Sequence, residues 1–240
     1  MDSTMARLVG ELDAESTEVA EEAQHALTAL GPEVLDELIA AVPRFAPFGQ
    51  LCAIEVFTAL RDPRPGDVLI GLLDSESATV REWAAEALAD LGIRRAGPAI
   101  QRAYDAFRRR GESPGYSEAV GLRDALSQLG AREVVIPPRA AALRVAVGPL
   151  DPAWPTFHLA EVIEDFAAHD QAVLYFQLWQ VKNGSAFGAG GPGIDWDIDR
   201  RWSWHRIVAD CRDWALLAAD ATARAPDLVA TVCWIDASDL

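Results

Sequence analysis

The sequence predicts an α+β chain. An all-α helical-repeat solenoid over residues 1–139 is followed by a small α/β domain over residues 140–240. Three observations predict it. A pattern of Leu and Ala returns about every thirty residues in the first half. That pattern stops at Pro137-Pro138, and seven of the eight Trp lie beyond residue 150. The C-terminal segments then switch between helical and strand periodicity.

The repeat reads Val19-x3-Ala23-x2-Ala26-Leu27-x2-Leu30-Gly31, then Ala53-x2-Val56-Phe57-x2-Leu60. It returns as Val80-Arg81-x2-Ala84-x2-Ala87-Leu88-x2-Leu91-Gly92 and as Leu122-x2-Ala125-Leu126-x2-Leu129-Gly130. The terminal leucines are 30, 31 and 38 residues apart. Apolar positions at i, i+4, i+7, i+8 and i+11 form one stripe of an α-helix, which a lone unit has nothing to bury against. The alanines let neighbouring helices approach closely, and Gly31, Gly92 and Gly130 suit the left-handed residue that ends a helix. A second helix is expected after each of the first three. One runs from Pro32 with Val34, Leu35, Leu38, Ile39 and Val42 inward. The next runs from Pro65 with Val68, Leu69, Leu72 and Leu73, and the third from about Arg95 with Ala99, Ile100, Ala103, Tyr104 and Phe107. Pro32 and Pro65 fit a first helical turn, where the missing N–H has no intrahelical partner. The fourth unit is expected to lack a second helix, because Pro137-Pro138 stops it. The domain therefore comprises three helix pairs and one unpaired helix. The extra length before the fourth unit falls at Arg108-Arg109-Arg110-Gly111, where three cations complement the negative end of a helix before a loop.

These residues resemble the HEAT repeat in its short, phycobilisome-lyase-like form, over roughly residues 14–136. The segment from Thr79 to Gly92 is the nearest match. The chain departs from the pattern where Arg61 replaces the Gly and where Glu118 stands at the Val position. The resemblance implies a surface that binds proteins, in a family that also holds bilin lyases, metal-dependent hydroxylases and DNA glycosylases. The hydroxylase branch needs His-Glu pairs, whereas His25, His158, His169 and His205 precede Ala, Leu, Asp and Arg. The glycosylase branch needs a basic concave surface, whereas the second-helix face here begins with Glu33, Asp36, Glu37 and Asp67. A bilin lyase needs a pigment partner, for which the sequence gives no sign.

In the second half, Leu143 to Val147 alternates like a short strand. Thr156 is placed to cap a helix carrying Leu159, Val162, Ile163 and Phe166. Ala172 to Val181 is β-prone and apolar on both faces, as in a central strand. A glycine-rich loop over 184–193 follows, then a helix from about Ser203 to Ala223 with Ile207, Cys211, Trp214, Ala218 and Ala221 inward. Leu228 to Ile235 is the last strand, giving the order β-α-β-loop-α-β. Gly188-Ala189-Gly190-Gly191-Pro192-Gly193 matches a dinucleotide fingerprint letter for letter. Six residues separate it from the strand, no helix starts at once, and Asp195, Asp197 and Asp199 would repel a pyrophosphate. In Asp195-Trp196-Asp197-Ile198-Asp199, a calcium loop would need Gly where Arg200 stands and an acid where Arg206 stands. No cofactor and no metal are expected, and no catalytic residues stand out. Ser185 lacks the frame of a hydrolase nucleophile.

Net charge is −16, unevenly spread. Residues 1–43 hold ten acids against Arg7 alone, a net of −9, while residues 44–139 are balanced and residues 140–240 carry −7. Such a field repels nucleic acid and anionic membranes and attracts a basic protein. Twenty of the 21 basic residues are Arg, which with the abundant Ala fits a GC-rich bacterial genome. Cys52, Cys211 and Cys233 form no CxxC, and Met1 to Glu15 has no apolar leader, so a cytoplasmic chain with reduced thiols is expected. The expected function is non-enzymatic binding of a basic protein, for example as an immunity or inhibitor protein against a cationic toxin. Its surface would comprise Asp36, Glu37, Asp67, Asp74, Gln101 and Asp105, with an acidic aromatic edge of Asp195, Trp196, Asp197, Asp199 and Trp202. The alternative is an enzyme or small-ligand binder with a site between the two halves, the glycine-rich loop as lid and His158 or His205 as base.

Overall fold

The computed structural model describes residues 3–148, 150–191, 198–199, 201–222 and 227–240. It is a mixed α+β chain in two compact units, Met1–Arg109 with Ser117–Glu133, and Arg110–Tyr116 with Val134–Leu240.

The first unit is helical. The recurring pattern forms α2 (Thr17–Leu30), α4 (Pro47–Leu60), α6 (Ala78–Asp90) and α8 (Ser117–Gln128). These pack in chain order, α2 on α4, α4 on α6 and α6 on α8. Ala23, Ala53, Ala84 and Ala125 are buried, which is what lets the helices come close. Between them run α3 (Leu35–Ala41), α5 (Gly66–Leu72) and α7 (Gly97–Arg110). Pro32 begins a 3-10 turn leading into α3, and Pro65 precedes the first residue of α5. Phe57, Leu88, Ile100, Phe107 and Leu126 are fully buried in one continuous core. After Leu91 and Leu129, Gly92 (φ 67°) and Gly130 (φ 69°) end their helices with the same pair of bonds. The Gly92 N–H donates to the Ala89 carbonyl and the Ile93 N–H to the Leu88 carbonyl; Gly130 and Ala131 repeat this onto Ser127 and Leu126. Gly31 differs, pairing φ 86° with ψ −162°, outside the left-handed helical region. Arg61 takes that region instead (φ 53°, ψ 33°), a conformation that disfavours any residue with a Cβ. An additional helix, α1 (Ser3–Glu11), packs on α2 and α3; its Leu8 and Val9 are buried, as is Leu12 just after it. Nine residues with no repeat signature left it illegible.

The second unit is built on a five-stranded sheet with every pairing antiparallel. Its elements are α9 (Pro138–Leu143), β1 (Val145–Val147), β2 (Leu150–Pro155), α10 (Leu159–Ala168), β3 (Ala172–Lys182), β4 (Ser185–Gly190), α11 (Trp204–Thr222) and β5 (Leu228–Ile235). Sheet order is β1-β2-β5-β3-β4, so β3 does lie between two strands. Three expectations are corrected. Hairpins rather than crossovers join β1 to β2 and β3 to β4, so the sheet is antiparallel and the small α/β domain is an α+β one. Pro137-Pro138 does not only stop a helix: Pro138 opens α9, where a missing N–H is harmless. The glycine-rich segment is no lid loop over Ser185–Gly190, because there it is a strand paired with β3. Its glycines answer to packing. Gly188 lies opposite Trp179, and a Cβ on Gly191 would stand 2.7 Å from the Phe176 carbonyl oxygen.

Trp154 and Trp234 serve this core. Trp154 is fully buried, meets Phe166 edge-on at 6.0 Å and donates its indole N–H to the Ala140 carbonyl at 2.8 Å. Trp234 stacks at a tilt on Phe166, 4.7 Å between ring centres. On α11 the buried stripe is Ile207, Val208, Cys211, Ala215 and Ala219, with Trp214 and Ala218 at its margin. Ala221, expected inward, is exposed.

Candidate functional site

The carboxylates expected to meet a partner start from the second helices of the repeat. Asp36 lies in the first turn of α3 and Asp67 in the first turn of α5, where acids favour the positive helix end. Each is met by an arginine 28 residues further on. Arg64 reaches Asp36 at 3.1 Å, and Arg95 reaches Asp67 at 2.8 Å. Arg64 also donates to the Pro32 carbonyl and clasps Asp62, whose carboxyl it holds below the usual range. The two acids remain in water, with 85% and 89% of their side chains exposed. Ion pairs this exposed contribute about 0–1 kcal/mol, so the arginines shield these carboxylates without locking them. Glu37 is half-buried and Asp74 exposed beyond the end of α5. Gln101 donates to Asp105 at 2.9 Å along α7, and Arg108 approaches Asp105 at 3.9 Å. Gln101 is thus occupied with its own helix.

In the second unit, Asp195, Trp196 and Asp197 lie outside the described residues. Asp199 and Trp202 are described. Asp199 accepts from the Arg201 guanidinium at 2.7 and 2.8 Å and from its backbone N–H at 3.0 Å. Those bonds hold its carboxyl down to about 2. Trp202 is half-buried against the small core cluster that includes Ile198 and Ile207, with Arg206 over its ring at 4.1 Å. Both residues therefore already have cationic neighbours, and Trp202 is partly committed to the core.

The two histidines weighed as bases differ. His158 directs Nδ1 at Glu161 Oε1 at 3.2 Å, and Glu161 is also held by Arg139. Those bonds keep the Glu161 carboxyl below its usual range. His205 is exposed in the first turn of α11. Among the described residues, no group of three or more His, Cys, Asp or Glu is arranged to hold a metal, and no helix is long and apolar enough to cross a membrane.

Sequence reasoning missed the polar joint between α6 and α8. Arg81 forms a forked pair with Glu118, Nε to Oε1 at 2.6 Å and the second nitrogen to Oε2 at 2.8 Å. It also donates to the carbonyls of Ser75 and Glu76. Glu118 is 3% exposed. The signal was present: an acid at an apolar position of the fourth unit and an arginine beside the same position of the third. Compared with known proteins, the chain matches no family model, no curated protein and no solved structure.

Proposed function

We propose that this chain is a non-enzymatic bacterial binding protein whose first half is a HEAT-like solenoid that docks a basic protein. Its concrete form is an immunity or inhibitor protein that covers a cationic toxin, such as a nuclease, in the cytoplasm. The observation that carries the reading is a net charge of −16 together with second-helix carboxylates that stay in water. Lysines or arginines of a partner would displace Arg64 and Arg95 at little expense, because the exposed pairs they replace are weak. The sequential packing of α2, α4, α6 and α8 supports a solenoid, since each of these helices meets the next one in chain order. Electrostatic attraction of this kind speeds encounter and selects for partner charge. The same field disfavours nucleic acid as the ligand.

The test is affinity capture from the native cell at low salt, eluted with a rising NaCl gradient, on the wild-type chain and on the pair Asp36→Lys, Glu37→Lys. The reading expects a protein of high isoelectric point that elutes early in the gradient and is captured several-fold less by the charge-reversed chain. Equal capture by both chains, or capture of acidic proteins alone, would contradict it.

A further inference from the structure

The crossing of α6 and α8 carries a second feature beside the Arg81–Glu118 pair. Along α6, Glu82, Glu86 and Asp90 fall at i, i+4 and i+8, one face of the helix. Along α8, Ser117, Gly121 and Asp124 face them. The Ser117 hydroxyl donates to Glu82 Oε2 at 2.9 Å. Gly121 is where the two helices touch. A Cβ there would stand 3.0 Å from Glu82 Cγ and 3.3 Å from Glu86 Oε1. The absence of a side chain at Gly121 is therefore what lets the Glu86 carboxyl lie against the neighbouring helix, next to Asp124.

We propose that this crossing is a pH-dependent joint: α8 seats fully on α6 when a proton sits on Glu86, and loosens when Glu82, Glu86, Asp90 and Asp124 are all ionised. The inference is independent of the partner proposed above. The charged groups acting on Glu86 are Glu82 and Asp90 of its own helix and Asp124 of α8, all of one sign. Also packed on α6 are α4, which carries Glu55, α5, which carries Asp67, and the 3-10 turn Arg94–Ala96; none of their charges is among those that shift Glu86. Arg123 and Arg132 act on Asp124, yet burial still leaves that carboxyl above its usual range. Burial first, then the three like charges, pushes the Glu86 carboxyl from 4.5 up to about 7. The unfolded chain gives up this proton earlier, so the contribution of Glu86 to stability is greatest below about pH 4.5, falls as pH rises toward 7, and is level above that. Glu86 and Asp124 are both exposed on the outer edge of the crossing, so water screens the charges and the effect is much smaller than for an enclosed carboxyl.

The experiment is thermal melting of the full chain between pH 5 and pH 8.5, for wild type, Glu86→Gln and Asp124→Asn. Glu86→Gln keeps the shape and removes the charge. Its melting temperature is expected to match wild type near pH 5 and to exceed it above pH 7 by on the order of 2–4 °C. Asp124→Asn, acting from the opposite helix, should raise the wild-type value at pH 8 in the same direction. Amide hydrogen exchange at pH 8 reads the joint itself: α8 should exchange several-fold more slowly in Glu86→Gln than in wild type. A difference between wild type and Glu86→Gln that does not change with pH, or equal α8 exchange in the two chains, would overturn the proposal.

Discussion

Glu118 stands where the first and third units of the repeat carry Val19 and Val80, and it is buried because Arg81 crosses from α6 to meet it. A guanidinium and a carboxylate joined by two bonds satisfy each other where water is excluded. Removing one partner leaves the other charge stranded. Glu118→Val restores the pattern of the sister units, yet it should destabilise the chain by about 3 kcal/mol in urea unfolding. The double change with Arg81→Leu should recover much of that loss, since a buried ion pair and a packed apolar pair are often of similar worth. Arg61 is a smaller departure with the opposite expectation. It holds a left-handed conformation that Gly adopts freely, so Arg61→Gly should gain roughly 0.5–1 kcal/mol and Arg61→Val should lose stability. Cys211 has its thiol pushed up to about 12, first by burial and then by Asp210, and burial raises Cys52 as well. Neither is a thiolate at pH 8, so iodoacetamide should leave both unmodified in the native chain and label them after unfolding, as read by peptide mass spectrometry.

Among the elements, those with a strong period were legible and those without one were not. The helices of the repeat are fixed by Leu and Ala at helical spacing, and β3 and β5 by runs of β-branched and aromatic residues. β4 was not, because Ser185–Gly190 holds only Phe187 as a strand former and reads as a loop. What makes it a strand is its neighbour: the register pairs Lys182 with Ser185 and carries the pairing on to Gly190. Close approach is also why glycine follows it. Gly191→Ala would drive a methyl group into the Phe176 carbonyl, which is main chain and has no rotamer to change. The expected loss is about 1–3 kcal/mol by denaturant unfolding. Of the candidate surface, the acids themselves were legible, and their arginine neighbours were not. Nothing in local sequence joins Asp36 to Arg64 or Asp67 to Arg95 until the helices are layered. The carboxyl face of α6 was equally hidden, since its meaning depends on Gly121 from another helix.

At the scale of the whole molecule, net charge is the property on which the proposed binding of a basic protein would depend. A helical array spends its core residues on stacking and leaves its outward residues free to specify a partner. In this chain acids outnumber bases 37 to 21, with −9 of the net charge in the first 43 positions. The arginines that temper Asp36 and Asp67 are themselves exposed, so they moderate the field without removing it. The direct test is the affinity of the captured partner for the full chain as NaCl is raised from below to well above physiological ionic strength. The account predicts a steep loss of affinity, carried mainly by slower association and less steep in the pair Asp36→Lys, Glu37→Lys. Affinity indifferent to salt, and equal for the two chains, would contradict it.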